Sequence, residues 1–152
     1  MSLTQIFNIA GSGMSAQSIR LNTTASNIAN AETVSSSVDE TYKARKPVFA
    51  AIHQGYMQQD GLGGATDSSL FPERLESKGV EVKAIVESEA ELQMRYQPGH
   101  PMANKEGYVL YPNVNIVEEM ADMLSASRGF QTNVEVMNTA KTMLQRVLTL
   151  GQ

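Results

Sequence analysis

The chain has 152 residues, room for one domain or for a small domain carrying long helical arms. Only 6% of its residues are aromatic and none is Trp, so any core must be built from aliphatic side chains and Met. Twelve Lys and Arg against sixteen Asp and Glu leave −4, which argues against a nucleic-acid or anionic-lipid surface; with no Cys, disulfides, zinc–thiolate sites, iron–sulfur clusters and thiol nucleophiles drop out.

The opening residues, Met1 to Asn8, show neither a basic n-region nor a long apolar stretch, so no cleaved secretory signal is expected. No apolar run reaches the roughly 18 residues of a membrane span, and no direct membrane insertion is expected. Charge concentrates in the middle: residues 35–112 hold eight bases and eleven acids, residues 1–34 one of each, and residues 113–152 three and four.

Residues 1–34 read as an N-terminal helical arm. Ser2 and Gln5 stand at capping-box spacing. Leu3, Phe7, Ala10, Met14, Gln17, Leu21, Thr24 and Ile28 then follow in alternating four- and three-residue steps, a helix with one narrow seam. Gly11, Gly13, Ala16, Ala25 and Ala29 thin its surface enough for another helix to come close, and the glycines lower its independent stability.

Residues 35–112 read as a small β-rich middle domain. Ser35 to Ser37 suggest a flexible joint, and the spacing predicts strands near 47–52, 80–84, 92–96 and 108–111. Pro98-Gly99-His100-Pro101 marks a turn, and the Gly- and Ser-rich residues at about 55–73 mark a long loop.

Residues 113–152 read as a long C-terminal helix. Pro112 stops the preceding strand, and Asn115 stands three residues before Glu118 as a cap. The seam runs Ile116, Met120, Met123, Ser127, Phe130, Val134, Met137, Lys141, Leu144, Leu148. Glu118, Glu119 and Asp122 near its start, with Lys141 and Arg146 near its end, suit the helix dipole. A second apolar stripe shifts sides along it, from Val117, Ala121 and Leu124 to Val136, Ala140, Met143, Val147 and Leu150. One slim N-terminal seam cannot cover a helix of about 50 Å. Either other chains cover the rest, or the middle region folds back over it. The expected class is α+β: long terminal helices forming a coiled-coil-like axial arm, with a small antiparallel β unit between them.

Chemistry finds little support. His53 and His100 are far apart, and the second sits in the turn. Glu118 and Glu119 would point about 100° apart on a helix, wrong for a shared carboxylate pair. Gly61-Leu62-Gly63-Gly64-Ala65 lacks the Gly-Lys-Ser/Thr that completes a phosphate cradle. Met at heptad spacing reads as packing. No catalytic, cofactor or metal site is expected.

Leu21-Asn22-Thr23-Thr24-Ala25-Ser26-Asn27-Ile28-Ala29-Asn30-Ala31 resembles the signature of bacterial flagellar rod and hook proteins. The likeness continues through Tyr42 to Phe49 and through Gly107-Tyr108-Val109-Leu110-Tyr111-Pro112-Asn113-Val114-Asn115 with Glu118-Glu119-Met120. It closes with Ser127-Arg128-Gly129-Phe130-Gln131-Thr132-Asn133-Val134 and Leu150-Gly151-Gln152. The chain departs from that pattern in its Gly-rich stretch, which reads as an insertion.

The resemblance implies a non-enzymatic structural subunit of the proximal rod, the drive shaft that carries motor torque to the hook for swimming. It implies location in the periplasmic part of the basal body and passage through the flagellar type III export apparatus without a cleaved signal. The implied partners are other rod proteins and copies of the chain in a helical axial assembly, with the base ring and the surrounding periplasmic ring as further candidates. Leu3, Phe7, Met14, Leu21 and Ile28, with Met120, Met123, Phe130, Val134, Met137, Leu144 and Leu148, become the expected assembly residues. Asn27, Asn30, Tyr111, Pro112, Asn113, Glu119 and Asn133 are the motif positions, the asparagines expected to cap or bridge backbone groups. Two rival readings are another type III-exported axial or needle-like subunit and a small rod-associated hydrolase; the latter needs an acid/base pair or metal triad that the residues do not supply.

Overall fold

The computed structural model describes residues 3–53 and 77–150. Helix α1 (Leu3–Asn30) leads, followed by strands β1 (Arg45–His53), β2 (Ser77–Glu87), β3 (Gln93–Tyr96) and β4 (Tyr108–Tyr111), and helix α2 (Ile116–Leu150) closes the order. Two long terminal helices with antiparallel strands between them make the chain α+β. The expected cap at Ser2 and the loop at about 55–73 fall outside the described residues.

Local chemistry sets the helix ends. Asn115 starts α2, its Oδ1 accepting from Val117 N at 3.1 Å and its carbonyl from Glu119 N at 3.0 Å. Glu118 and Glu119 lie in the first turn, but no basic residue lies in the last, so Lys141 and Arg146 stop short of the turn where the dipole is felt. At the end of α1, Thr33 N and Oγ1 both donate to the Asn30 carbonyl, satisfying a group the helix leaves open.

The helices pack antiparallel. Gly13 lies against Asn133, Gly129 against Gln17, and Arg20 Nη2 meets Asp122 Oδ1 at 2.6 Å. Fully buried positions in this seam are small, Ala10 and Ala16 on α1 with Ala126 and Ala140 on α2, so the larger side chains pack around a close backbone approach.

The strands form two separate ladders. β1 pairs antiparallel with β2, with register shifts at Val48/Phe49 and Ile52/His53. β3 pairs antiparallel with β4. The β1–β2 ladder lies along α1, where Ser12 Oγ donates to Ile9 O at 2.9 Å and accepts from Val80 N at 3.1 Å. Gly79 permits that approach, because its φ is +135° and a Cβ there would collide with the Ser12 hydroxyl. The middle region therefore folds back onto α1. Among the described residues no strand packs on α2.

Ser35 is not part of a flexible joint. It is buried, bridges Leu110 of β4 through N–H···O bonds of 3.2 and 3.1 Å, and its Oγ lies 2.7 Å from Thr41 Oγ1. A small core of Ala31, Ala44 and Val114 with Tyr42 sits where the segment after α1 meets the approach to α2, and Val109 of β4 is fully buried.

Replacing Gly79 by Ala should lower the unfolding free energy by about 1–3 kcal/mol, since an L side chain is strained at this φ and meets Ser12. Urea unfolding of the two proteins checks it, with faster exchange of the Val80 amide marking local loss of the α1–β2 contact.

Candidate assembly interface

Two asparagines tie the strands to the helical arm. Asn27, 1% exposed on α1, grips both backbone groups of Arg45: its Oδ1 accepts from Arg45 N at 2.9 Å and its Nδ2 donates to Arg45 O at 2.8 Å. The same Oδ1 accepts from Tyr42 Oη at 2.9 Å. Asn113, just before α2, holds the neighbouring residue: its Oδ1 accepts from Ala44 N at 2.8 Å, and its Nδ2 donates to Ala90 O at 2.8 Å and Ser88 O at 3.3 Å. Residues 44 and 45 are thus clamped from both arms.

On α2 the residues turned toward α1 recur with helical spacing. Glu119, Ala126 and Ala140 are buried, and Met123, Phe130, Asn133, Val134 and Met137 are half-buried. Phe7, Met14, Leu21 and Ile28 are half-buried on α1. Of the expected assembly residues, Met120, Leu144 and Leu148 stand apart as exposed, and the side chain of Leu3 is not described.

Most other described residues of α2 are exposed, and the apolar ones among them gather in two patches. One lies at the start, where Val117 is 75% and Met120 60% exposed beside Leu124. The other lies at the end, where Val147 is 63% and Leu148 65% exposed beside Met143 and Leu144. Between them Ser125, Arg128, Gln131, Thr132, Glu135 and Asn138 form a polar band. A shallow groove of about 380 Å³ between Ile6 and the end of α2 runs into the second patch, lined there by Val136, Ala140 and Met143. Beyond Glu135 the helix carries only Lys141 and Arg146 as charges, whereas its start carries Glu118, Glu119 and Asp122. Val117, Leu124, Met143 and Val147 appear in the sequence only as a second stripe; their exposure distinguishes them from packing residues.

The remaining motif positions have local work. Asn30 Nδ2 donates to Ser26 O at 2.8 Å, Pro112 is fully buried, and the Tyr111 ring lies under the Arg95 guanidinium at 4.4 Å. Asn133 rests against Gly13 rather than capping a helix end. Nδ1 of His100 accepts from Met102 N at 3.1 Å inside its turn. Among the described residues, no group of three or more acidic, His or Cys side chains is placed to hold a metal, and no helix is long and apolar enough to cross a membrane.

Residues 7–34 match the family described as flagella basal body rod protein, and residues 105–150 match the C-terminal region of the flagellar basal body rod FlgEFG proteins. The chain is 43% identical over 152 residues to the flagellar basal-body rod protein FlgC of Salmonella typhimurium, covering 100% of both. It is 43% identical to FlgC of Yersinia enterocolitica with the same coverage, and 33% identical over 157 residues to FlgC of Borreliella burgdorferi, covering 100% of the chain and 99% of the relative. The chain belongs to the FlgC family. As a FlgC protein it is a structural rod subunit of the flagellar basal body, and it assembles with other rod components. Both family matches fall on the arms that the two asparagines join, the second also taking in β4.

Replacing Asn27 by Ala leaves Arg45 N–H and Arg45 C=O without their partner and Tyr42 Oη with only Ser26 Oγ at 3.4 Å, and should cost about 2 kcal/mol of stability. Asn30→Ala, which removes one local bond, should stay within about 0.5 kcal/mol. Denaturant unfolding of the two variants side by side checks the contrast.

Proposed function

We propose that the chain is a non-catalytic subunit of the proximal rod that passes motor torque toward the hook through helix packing against its neighbours. The observation that carries this reading is the division of α2 into an inner face occupied by α1 and two exposed apolar patches, one on the side away from α1 and one at the end of the helix. Fully burying one Val or Leu side chain contributes about 1.5–3 kcal/mol, so patches of this size favour contact with other subunits, as an axial assembly provides. Rigid transmission follows from such packing, because close-packed side chains resist compression and pass strain onward.

The wider setting belongs to the same reading. The subunit reaches the periplasm through the flagellar type III export apparatus without a cleaved signal, and its neighbours there are other rod proteins and further copies, with the base ring and the surrounding periplasmic ring beyond them. Support comes from FlgC family membership. The three-part division into an arm at 1–34, a β-rich region at 35–112 and a long helix at 113–152 fits a subunit whose helices face the assembly.

The test is Val147→Asp in a strain lacking the native chain. Val147 is exposed, so the variant should keep the unfolding free energy of the native chain within about 0.5 kcal/mol. Swimming should nevertheless be abolished at native levels of exported chain, because a charge would enter a packed joint unpaired. Val134→Asp, on the half-buried inner face, should lose both swimming and stability. Native swimming in Val147→Asp would overturn the docking role of the second patch.

A further inference from the structure

Each helix of the arm supplies a glycine and, four residues further on, an amide: Gly13 and Gln17 on α1, Gly129 and Asn133 on α2. Because the helices run antiparallel, the two pairs interlock. A Cβ built on Gly13 would lie 2.8 Å from Asn133 Nδ2 and 3.1 Å from its Cγ and Oδ1, so the whole carboxamide rests against the glycine backbone. A Cβ on Gly129 would lie 3.3 Å from Gln17 Cδ and 3.5 Å from its Cγ and Nε2. Each amide fills the space left by the other helix's missing side chain.

The arrangement has a cost. Gln17 Oε1 is buried with no hydrogen-bond partner among the described residues, and a buried unpaired acceptor destabilises. An apolar residue at this seam position would avoid that penalty. Fixing register is the best-attested use of a polar group kept in a helical seam.

We infer that Gly13, Gln17, Gly129 and Asn133 form a register key that sets the axial position of α2 on α1, and thereby how far the apolar end of α2 projects for docking. The second half of this inference rests on the rod-subunit reading; the first does not. Heptad spacing alone leaves the register open, since a slide by one heptad still faces apolar seam residues with one another. With the key, such a slide would set Gln17 opposite Val136 or Asp122. A slide by one helical turn would set Gln17 against Asn133, two amides in one gap, or leave the two glycines facing each other over a void. In the observed register α1 begins level with the region of Met143, and the remaining turns of α2 extend about 10 Å beyond it.

The experiment exchanges the members of one pair. Full-length chains carry spin labels at Ala25→Cys and Gln145→Cys, both exposed and the only thiols in the protein, roughly 35 Å apart along the axis at about 1.5 Å per residue. The native sequence should give one narrow distance. Gly13→Asn, which opposes two amides, should shift that distance by about one helical turn of 5.4 Å or broaden it, and should reduce swimming by about tenfold or more. Adding Asn133→Gly again sets an amide opposite a glycine and should restore both the distance and swimming. An unchanged distance in Gly13→Asn, or a double variant no closer to native than the worse single one, would overturn the key whatever the swimming phenotype. A shifted or broadened distance in Gly13→Asn that the double variant reverses would uphold the key even where Val147→Asp swims normally, which would overturn only the docking surface.

Discussion

The structure depends on a mismatch between its two helices. α1 has 28 residues and α2 has 35, and their contact is narrow because alanines and glycines stand where the backbones come closest. Small residues let the backbones approach closely, but they cover little of the facing helix. α2 therefore keeps apolar surface on its far side and at its end that no other described residue covers. Lengthening α1 would cover part of the end, yet not the patch of Val117, Met120 and Leu124, which lies on the side turned away from α1.

α1 is also the element on which the rest is organised. It has α2 on one side and the β1–β2 ladder on the other, held at Ser12 by Val80 and at Asn27 by Arg45. Its own tendency to be helical is modest, because two glycines lie in its first half and Thr23 and Thr24 bond back to the carbonyls of Ile19 and Arg20. A helix of that composition draws its stability from tertiary contacts. The β1–β2 ladder and α2 thus stabilise each other through α1 although they do not touch among the described residues. Clamping of residues 44 and 45 by Asn27 and Asn113 makes this coupling directional, since it fixes the root of the ladder to both arms.

The sequence displays most of the elements and little of their mutual arrangement. Asn115 and the heptads from Ile116 onward define α2 because caps and helical period are local properties. β1 and β2 run beyond their apolar cores at 47–52 and 80–84, since ladder bonds extend strands through Arg45 and Glu87, whose side chains carry no strand signal. Whether Met120 or Met123 faces α1 is not local: both occupy seam positions, and only the crossing of two helices decides that the second is covered and the first is not. Ser35 reads as flexible because serine runs usually are, and it is ordered by a bridge to a residue 75 positions away. Asn27 is visible as a motif, but its grip on Arg45 follows from a fold-back that no spacing reveals.

The two exposed patches of α2 also constrain the kind of assembly the chain can enter. They lie at opposite ends of the helix, separated by a polar band, and differ in charge: acidic side chains accompany the first, and Lys141 and Arg146 the second. In a two-fold dimer residue i of one copy meets residue j of the other and j meets i, so a single contact covers both patches only where both face the same partner. On the proposed reading the patches meet unlike surfaces on successive neighbours, a heterologous arrangement that continues into rings or helical arrays. The distance between the patches is then a property of one continuous helix, while their position relative to the strands depends on how α2 is seated on α1. An error of one turn in that seating would displace both patches together relative to the β ladder, so a neighbour touching both the helix and the strands would meet only one of them correctly.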